Sequence, residues 1–136
     1  MKQKTITICG KEVKMIYCAA TENGYEIMSG KSIETFVPKF GKDDEGNDII
    51  LEPAKATMAD FLMLAVAGIV AAYTKEGTDA PITSEDVLYE ATPDERNALL
   101  TSIVALRNEW YGIPSIIEGT IREEAEEHQS SEGEKN

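Results

Sequence analysis

Histidine is almost missing from this 136-residue chain; His128 is the only one, and it stands in a late acidic stretch. A serine or cysteine nucleophile therefore has no histidine in the body of the chain to activate it. A structural zinc site has too few ligands, since there is neither a Cys-x-x-Cys nor a His-x-x-x-His. Cysteine is scarce as well, with only Cys9 and Cys18. Two such residues do not make a disulfide framework, and a reducing cytoplasm is the expected compartment. Basic residues number 13 against 25 acidic ones, a formal charge of -12. That surface repels phosphate backbones, so nucleic acid is not an expected partner. No apolar stretch follows Lys2 and Lys4, so no signal peptide is expected. The longest apolar run, 61–73, is shorter than the ~18–20 residues a bilayer crossing needs, and Asp60 and Lys75 stand close by. No membrane span is expected. No carboxylate pair is set off by apolar surroundings, so acid/base catalysis has no candidate residues, and no cofactor or metal is expected.

What the chain does have is that apolar run. Residues 58–73, MADFLMLAVAGIVAAY, read as one helix that from Phe61 to Tyr73 is apolar all round, and such a helix must be enclosed. Thr57 and Asp60 cap its start. Before it, Thr5-Ile6-Thr7-Ile8-Cys9 and Glu12-Val13-Lys14-Met15 alternate around Gly10-Lys11. This predicts a β-hairpin with Gly10-Lys11 as its turn, Ile8 opposite Val13 and Ile6 opposite Met15. Ile6, Ile8, Val13 and Met15 then share an apolar face. Residues 19–29 have helical spacing, with Ala20, Gly24 and Ile27 or Met28 inward, Glu22 and Glu26 outward, and Gly30 as the stop. A short turn over 32–36 ends before Pro38. Residues 38–57 are the least regular, and Ile49-Ile50-Leu51 is expected to pair with residues 35–40 as a second hairpin. A short helix over 85–90 follows Thr83-Ser84. The start after it is strongly marked: Thr92 at N-cap, Pro93 at N1, Glu95 at N3. That helix carries the stripe Leu99, Ile103, Leu106 and Trp110, and Gly112 and Pro114 end it. The fold class is α+β, an N-terminal antiparallel hairpin packed on a mostly helical body over residues 1–117. Residues 118–136 hold almost no bulky apolar side chain and are expected to be a disordered acidic tail.

Two motifs come close to ligand-binding patterns. Ser29-Gly30-Lys31-Ser32 resembles the end of a phosphate loop, but Tyr25 stands where its first glycine belongs, and no strand precedes it. A glycine stop followed by a polar turn accounts for it. Residues 41–52 resemble half a calcium loop, but the first ligand position falls on Gly41. An exposed acidic turn accounts for that. Trp110-Tyr111 is of the type that anchors partners, although its place on an apolar stripe favours packing on the core.

The order of elements carries a resemblance. Lys4 to Tyr17 as a hairpin, then Cys18-Ala-Ala-Thr-Glu-Asn-Gly-Tyr-Glu-Ile-Met-Ser-Gly-Lys-Ser-Ile33, then Phe61-Leu-Met-Leu-Ala-Val-Ala-Gly68 and Ile82-Thr83-Ser84-Glu85-Asp86-Val87, resembles the small tail assembly chaperones of long-tailed bacteriophages. Serine at position 29 replaces the threonine usual before Gly-Lys-Ser, and residues 38–51 are longer than the pattern. The resemblance implies a non-enzymatic protein of the bacterial host cytoplasm. It implies binding to the tape measure protein, which is kept soluble, and to the tail tube protein. The alternative is a small acidic interaction module, a homo-oligomer built on the central helix. Candidate protein-binding residues are Tyr25, Phe36 and Tyr73, together with Ala65, Gly68 and Ala72, whose small side chains allow another helix to approach closely.

Overall fold

The computed structural model describes residues 2–113. The expected acidic tail, 118–136, lies outside the described residues. The architecture is α+β, with an N-terminal antiparallel hairpin on a helical body.

Strands β1 (Gln3–Ile8) and β2 (Lys11–Ile16) form the first hairpin. Its turn is Cys9-Gly10 rather than Gly10-Lys11, and both turn residues have positive φ, 54° and 76°. That is the backbone of a two-residue turn whose twist matches the strands, with glycine in the second place. The register shifts accordingly: Ile8 pairs with Lys11 and Ile6 with Val13. A two-residue shift preserves the alternation of faces, so Ile8, Val13 and Met15 are still buried together. Cys9 is held in its left-handed conformation from outside, by its N–H donating to the Glu95 carboxylate at 3.0 Å.

Helix α1 (Ala19–Ser29) runs as expected and stops at Gly30, whose φ is +72°. Its inward face differs from the expected one. Thr21 and Tyr25 are buried, while Ala20 is exposed and Ile27 is 74% exposed. Thr21 sets this rotation: its hydroxyl donates to the Ile16 carbonyl at 3.0 Å and accepts the Cys18 N–H at 3.2 Å. Glu26 is not free in solvent either, because it accepts the Ile33 N–H at 2.8 Å. A 3-10 turn (Ile33–Phe36), capped by Ser32, follows. Strands β3 (Lys39–Lys42) and β4 (Asp48–Glu52) then form the second hairpin, as a separate two-stranded sheet; its first strand lies later than the expected 35–40, because residues 33–36 are taken by the 3-10 turn.

Helix α2 (Met58–Lys75) is the centre of the core. It packs against α1, β2 and α4 (Pro93–Tyr111), and only its ends and Val70 reach solvent freely. Among the described residues it alone is long and apolar enough to cross a bilayer, with 18 residues at mean hydropathy 1.5, yet half of it is buried inside this chain. Its closest contact is at Gly68. A Cβ there would stand 2.7 Å from the Ile16 carbonyl oxygen and 3.1 Å from Met15. β2 therefore lies directly on the helix backbone. The short helix α3 (Ser84–Tyr89) and α4 close the other side, with Val87, Leu99, Ile103 and Leu106 inward. Helices α2, α3 and α4 each start with a reciprocal cap: Thr57 with Asp60, Thr83 with Asp86, and Thr92 with Glu95. Each such cap satisfies two backbone donors that a helix start leaves open.

Candidate functional site

Five of the six sequence candidates are buried, and Tyr73 is half-buried. Tyr25 and Phe36 are buried and meet edge to face, with centroids 4.9 Å apart. Phe36 meets Phe61 in the same way at 4.9 Å. Ala65, Gly68 and Ala72 are buried within this chain, and the close neighbours at Gly68 are Met15 and Ile16 of β2 and Ile103 of α4. Tyr73 is half-buried, its hydroxyl accepts the Lys14 N–H at 3.2 Å, and the Lys14 ammonium lies 5.5 Å from its ring centre.

The Gly-Lys-Ser stretch has a structural task. Gly30 ends α1, Ser29 Oγ accepts the Lys31 N–H at 3.0 Å, and Ser32 Oγ accepts the Glu34 N–H at 3.1 Å. Lys31 Nζ then reaches Asp60 Oδ1 at 3.0 Å, where the Tyr25 hydroxyl also donates at 3.1 Å. The other oxygen, Oδ2, accepts from the Thr57 N–H at 2.9 Å and hydroxyl at 3.1 Å. Burial pushes the Asp60 carboxyl up, but these donors outweigh it and hold it at about 2. Both oxygens are engaged, so the cluster fastens the end of α1 to the start of α2. It offers no free base.

The half calcium loop is the turn of the second hairpin. Asp43 Oδ1 accepts the N–H groups of Glu45 at 2.9 Å and Asn47 at 2.8 Å, and Gly46 takes φ +84°. The carboxylate thus closes its own turn. Among the described residues, no three histidine, cysteine or acidic side chains come together to hold a metal.

That hairpin presents several exposed apolar side chains together. Strand β4 is exposed along its whole length, and β3 nearly so. Phe40 is 64% exposed, Ile50 59%, Leu51 61% and Ile49 38%. β1 and β2 lay one face on α2 and α4, whereas β3 and β4 pack mainly on each other. A lone two-stranded hairpin is marginal in water. This one is held by the Asp43 turn, by the Lys42–Asp48 ion pair at 2.6 Å, and at its base by the Lys55 N–H donating to the Thr35 carbonyl at 3.1 Å. The result is a preshaped apolar arm outside the core. Sequence reading finds the hairpin but not its exposure. The available signal was Ile49-Ile50-Leu51 opposite Phe40 in a segment with no amphipathic element of its own to cover it.

A second apolar feature lies at the far end of α4. Trp110 and Tyr111 are about half exposed and lean on the buried Tyr17, with centroids 6.5 and 6.2 Å away. The Tyr17 hydroxyl donates to Glu22 at 2.7 Å, and Tyr111 donates to the same carboxylate. Beside them, Lys2, Leu106 and Glu109 complete an open groove of about 290 Å³. Packing and exposure are thus shared at these rings. Comparison of this chain with protein-family models, with curated proteins and with solved structures finds no match.

Proposed function

We propose that this chain is a non-enzymatic tail assembly chaperone that acts in the bacterial cytoplasm, binding the tape measure protein of a long-tailed bacteriophage and keeping it soluble for the tail tube subunits. The β3–β4 arm is the observation that carries this reading. Contiguous apolar side chains left in water on a small acidic protein are the physical signature of a protein-binding surface. A tape measure chain presents many apolar helical faces, which need temporary cover. A cover of that kind needs an apolar contact surface and enough charge to keep the complex dissolved, and this chain carries -12. The order of the hairpin, the helix ending in Gly-Lys-Ser and the apolar helix supports the same reading.

Co-expression tests it. With this chain present, a tape measure protein otherwise found in the pellet is expected in the soluble fraction and co-purifies with the chaperone. The double variant Phe40→Ser/Ile50→Ser is expected to lose both effects while keeping its thermal midpoint, because both side chains lie outside the core. A tape measure chain that stays insoluble, with no co-purification, contradicts the reading.

A further inference from the structure

We propose that the arm receives its partner on a face and not along an edge, and that the occupant is an amphipathic helix with lysine or arginine beside its apolar stripe. This rests on the reading of the arm as the binding surface and names what it binds. The edges and faces of the hairpin differ in a way that decides the mode. A strand adds to a sheet through an open row of N–H and C=O groups, and lysine, proline and bulges block that row. Both edges here carry such blocks. β3 begins directly after Pro38, which has no N–H, and is bounded by Lys39 and Lys42. On β4 the register jumps: Lys39 pairs with Glu52 but Phe40 pairs with Ile50, leaving Leu51 as an extra residue. Leu51 folds over Gly41, 2.6 Å from where a Cβ would be, and bends that strand locally.

The faces carry no such block. Phe40 and Ile50 are cross-strand partners, so they point the same way, and both are more than half exposed. A helix laid across them meets an apolar pair.

Charge then selects the helix. Lys42 is paired with Asp48 and Lys39 with Glu52, at 2.6 and 3.7 Å. Asp43, Asp44 and Glu45 at the tip have no lysine or arginine partner among the described residues. The apolar pair therefore ends in an anionic tip, which attracts cations and repels another acidic surface. A second copy of this chain would bring a further formal charge of -12 to it. A cationic amphipathic helix satisfies both the face and the tip.

Synthetic peptides separate the possibilities, with binding to the intact chain followed by calorimetry. The probes are a Leu/Lys amphipathic helix several turns long, a Leu/Glu helix with the same apolar stripe, and a Val/Lys peptide alternating as a strand. The Leu/Lys helix is expected to bind, and to bind roughly tenfold or more weakly to Phe40→Ser/Ile50→Ser. The tip variant Asp44→Asn/Glu45→Gln, which leaves the apolar pair in place, is expected to weaken it severalfold. Thermal midpoints of both variants establish that they remain folded. Stronger binding by the Val/Lys strand, or equal binding by the Leu/Glu helix, overturns this inference while leaving the arm as the binding surface. Equal binding of the Leu/Lys helix to the parent and the Phe40→Ser/Ile50→Ser variant overturns the arm itself, as does no binding by any probe.

Discussion

Asp60 is the residue on which two helices depend. Its carboxylate caps α2 through Thr57 and gathers Tyr25 and Lys31 from the end of α1. Half of this was readable in the chain, because Thr57-x-x-Asp60 before an apolar run is a cap signature. The other half was not, since Tyr25 and Lys31 lie 35 and 29 residues away and no local pattern announces them. The carboxyl is held at about 2, below its ordinary value of 3.8. A group depressed on folding stabilises the native state above its unfolded pKa, and that contribution is lost as pH falls through the folded pKa. The side chain is nearly fully buried, so the contribution is on the order of 2 kcal/mol, present above about pH 4 and gone below about pH 2. Urea unfolding across that window is expected to show this fall in the parent chain and a flatter profile in Asp60→Asn. At neutral pH, Asp60→Ala is expected to lose about 3 kcal/mol, since it leaves a buried hydroxyl without its acceptor and removes the cap. A loss below about 0.5 kcal/mol, within the usual range for surface substitutions, would show that the cluster is not a fastening.

At the scale of elements, two glycines in helices give opposite predictions. Gly24 lies inside α1, and a Cβ there meets Ala67 at 3.4 Å, an ordinary contact. Gly24→Ala is expected to stabilise by about 0.5–1 kcal/mol, the helix preference of alanine over glycine. Gly68 lies inside α2 against the Ile16 carbonyl, where a Cβ has only 2.7 Å. Gly68→Ala is expected to destabilise by about 1–3 kcal/mol, because backbone must move to admit the methyl. Thermal melts of the two variants check both signs. The sequence pointed to Gly68 as a place where another helix comes close, whereas the nearest neighbour is strand β2. It did not identify the neighbour, since apolar periodicity describes which face needs cover and not which element covers it. The first hairpin teaches the same lesson. Alternation put Ile8, Val13 and Met15 on one face, and they are, because a two-residue shift in register leaves that parity intact. The turn itself moved to Cys9-Gly10, held by Glu95 from α4, a contact 86 residues away in the chain. In α1 the inward face differs from the apolar spacing for a related reason. A hydroxyl, Thr21, fixes the helix by hydrogen bonds to Ile16 and Cys18, and a count of apolar side chains does not register it.

For the whole molecule, the core covers itself, while the β3–β4 arm keeps most of its apolar side chains in solvent. The core was legible because caps and apolar stripes are local. The exposure of Phe40, Ile50 and Leu51 was not, because large exposed side chains and buried ones look alike in a sequence. Net charge gives a prediction at this scale. Binding of the cationic Leu/Lys helix is expected to weaken as salt rises from low to well above physiological, since screening shortens the reach of the acidic tip. Binding that does not change with salt would mean that apolar contact alone governs the arm. The central claim, that the arm is where this chain meets its partner, is tested most directly by amide hydrogen exchange on the chain alone and in complex with the co-expressed tape measure protein. The account predicts added protection confined to residues 39–52 and their immediate base, with β1, β2 and α2 unchanged. Protection on other elements with 39–52 left exchanging as before would contradict it.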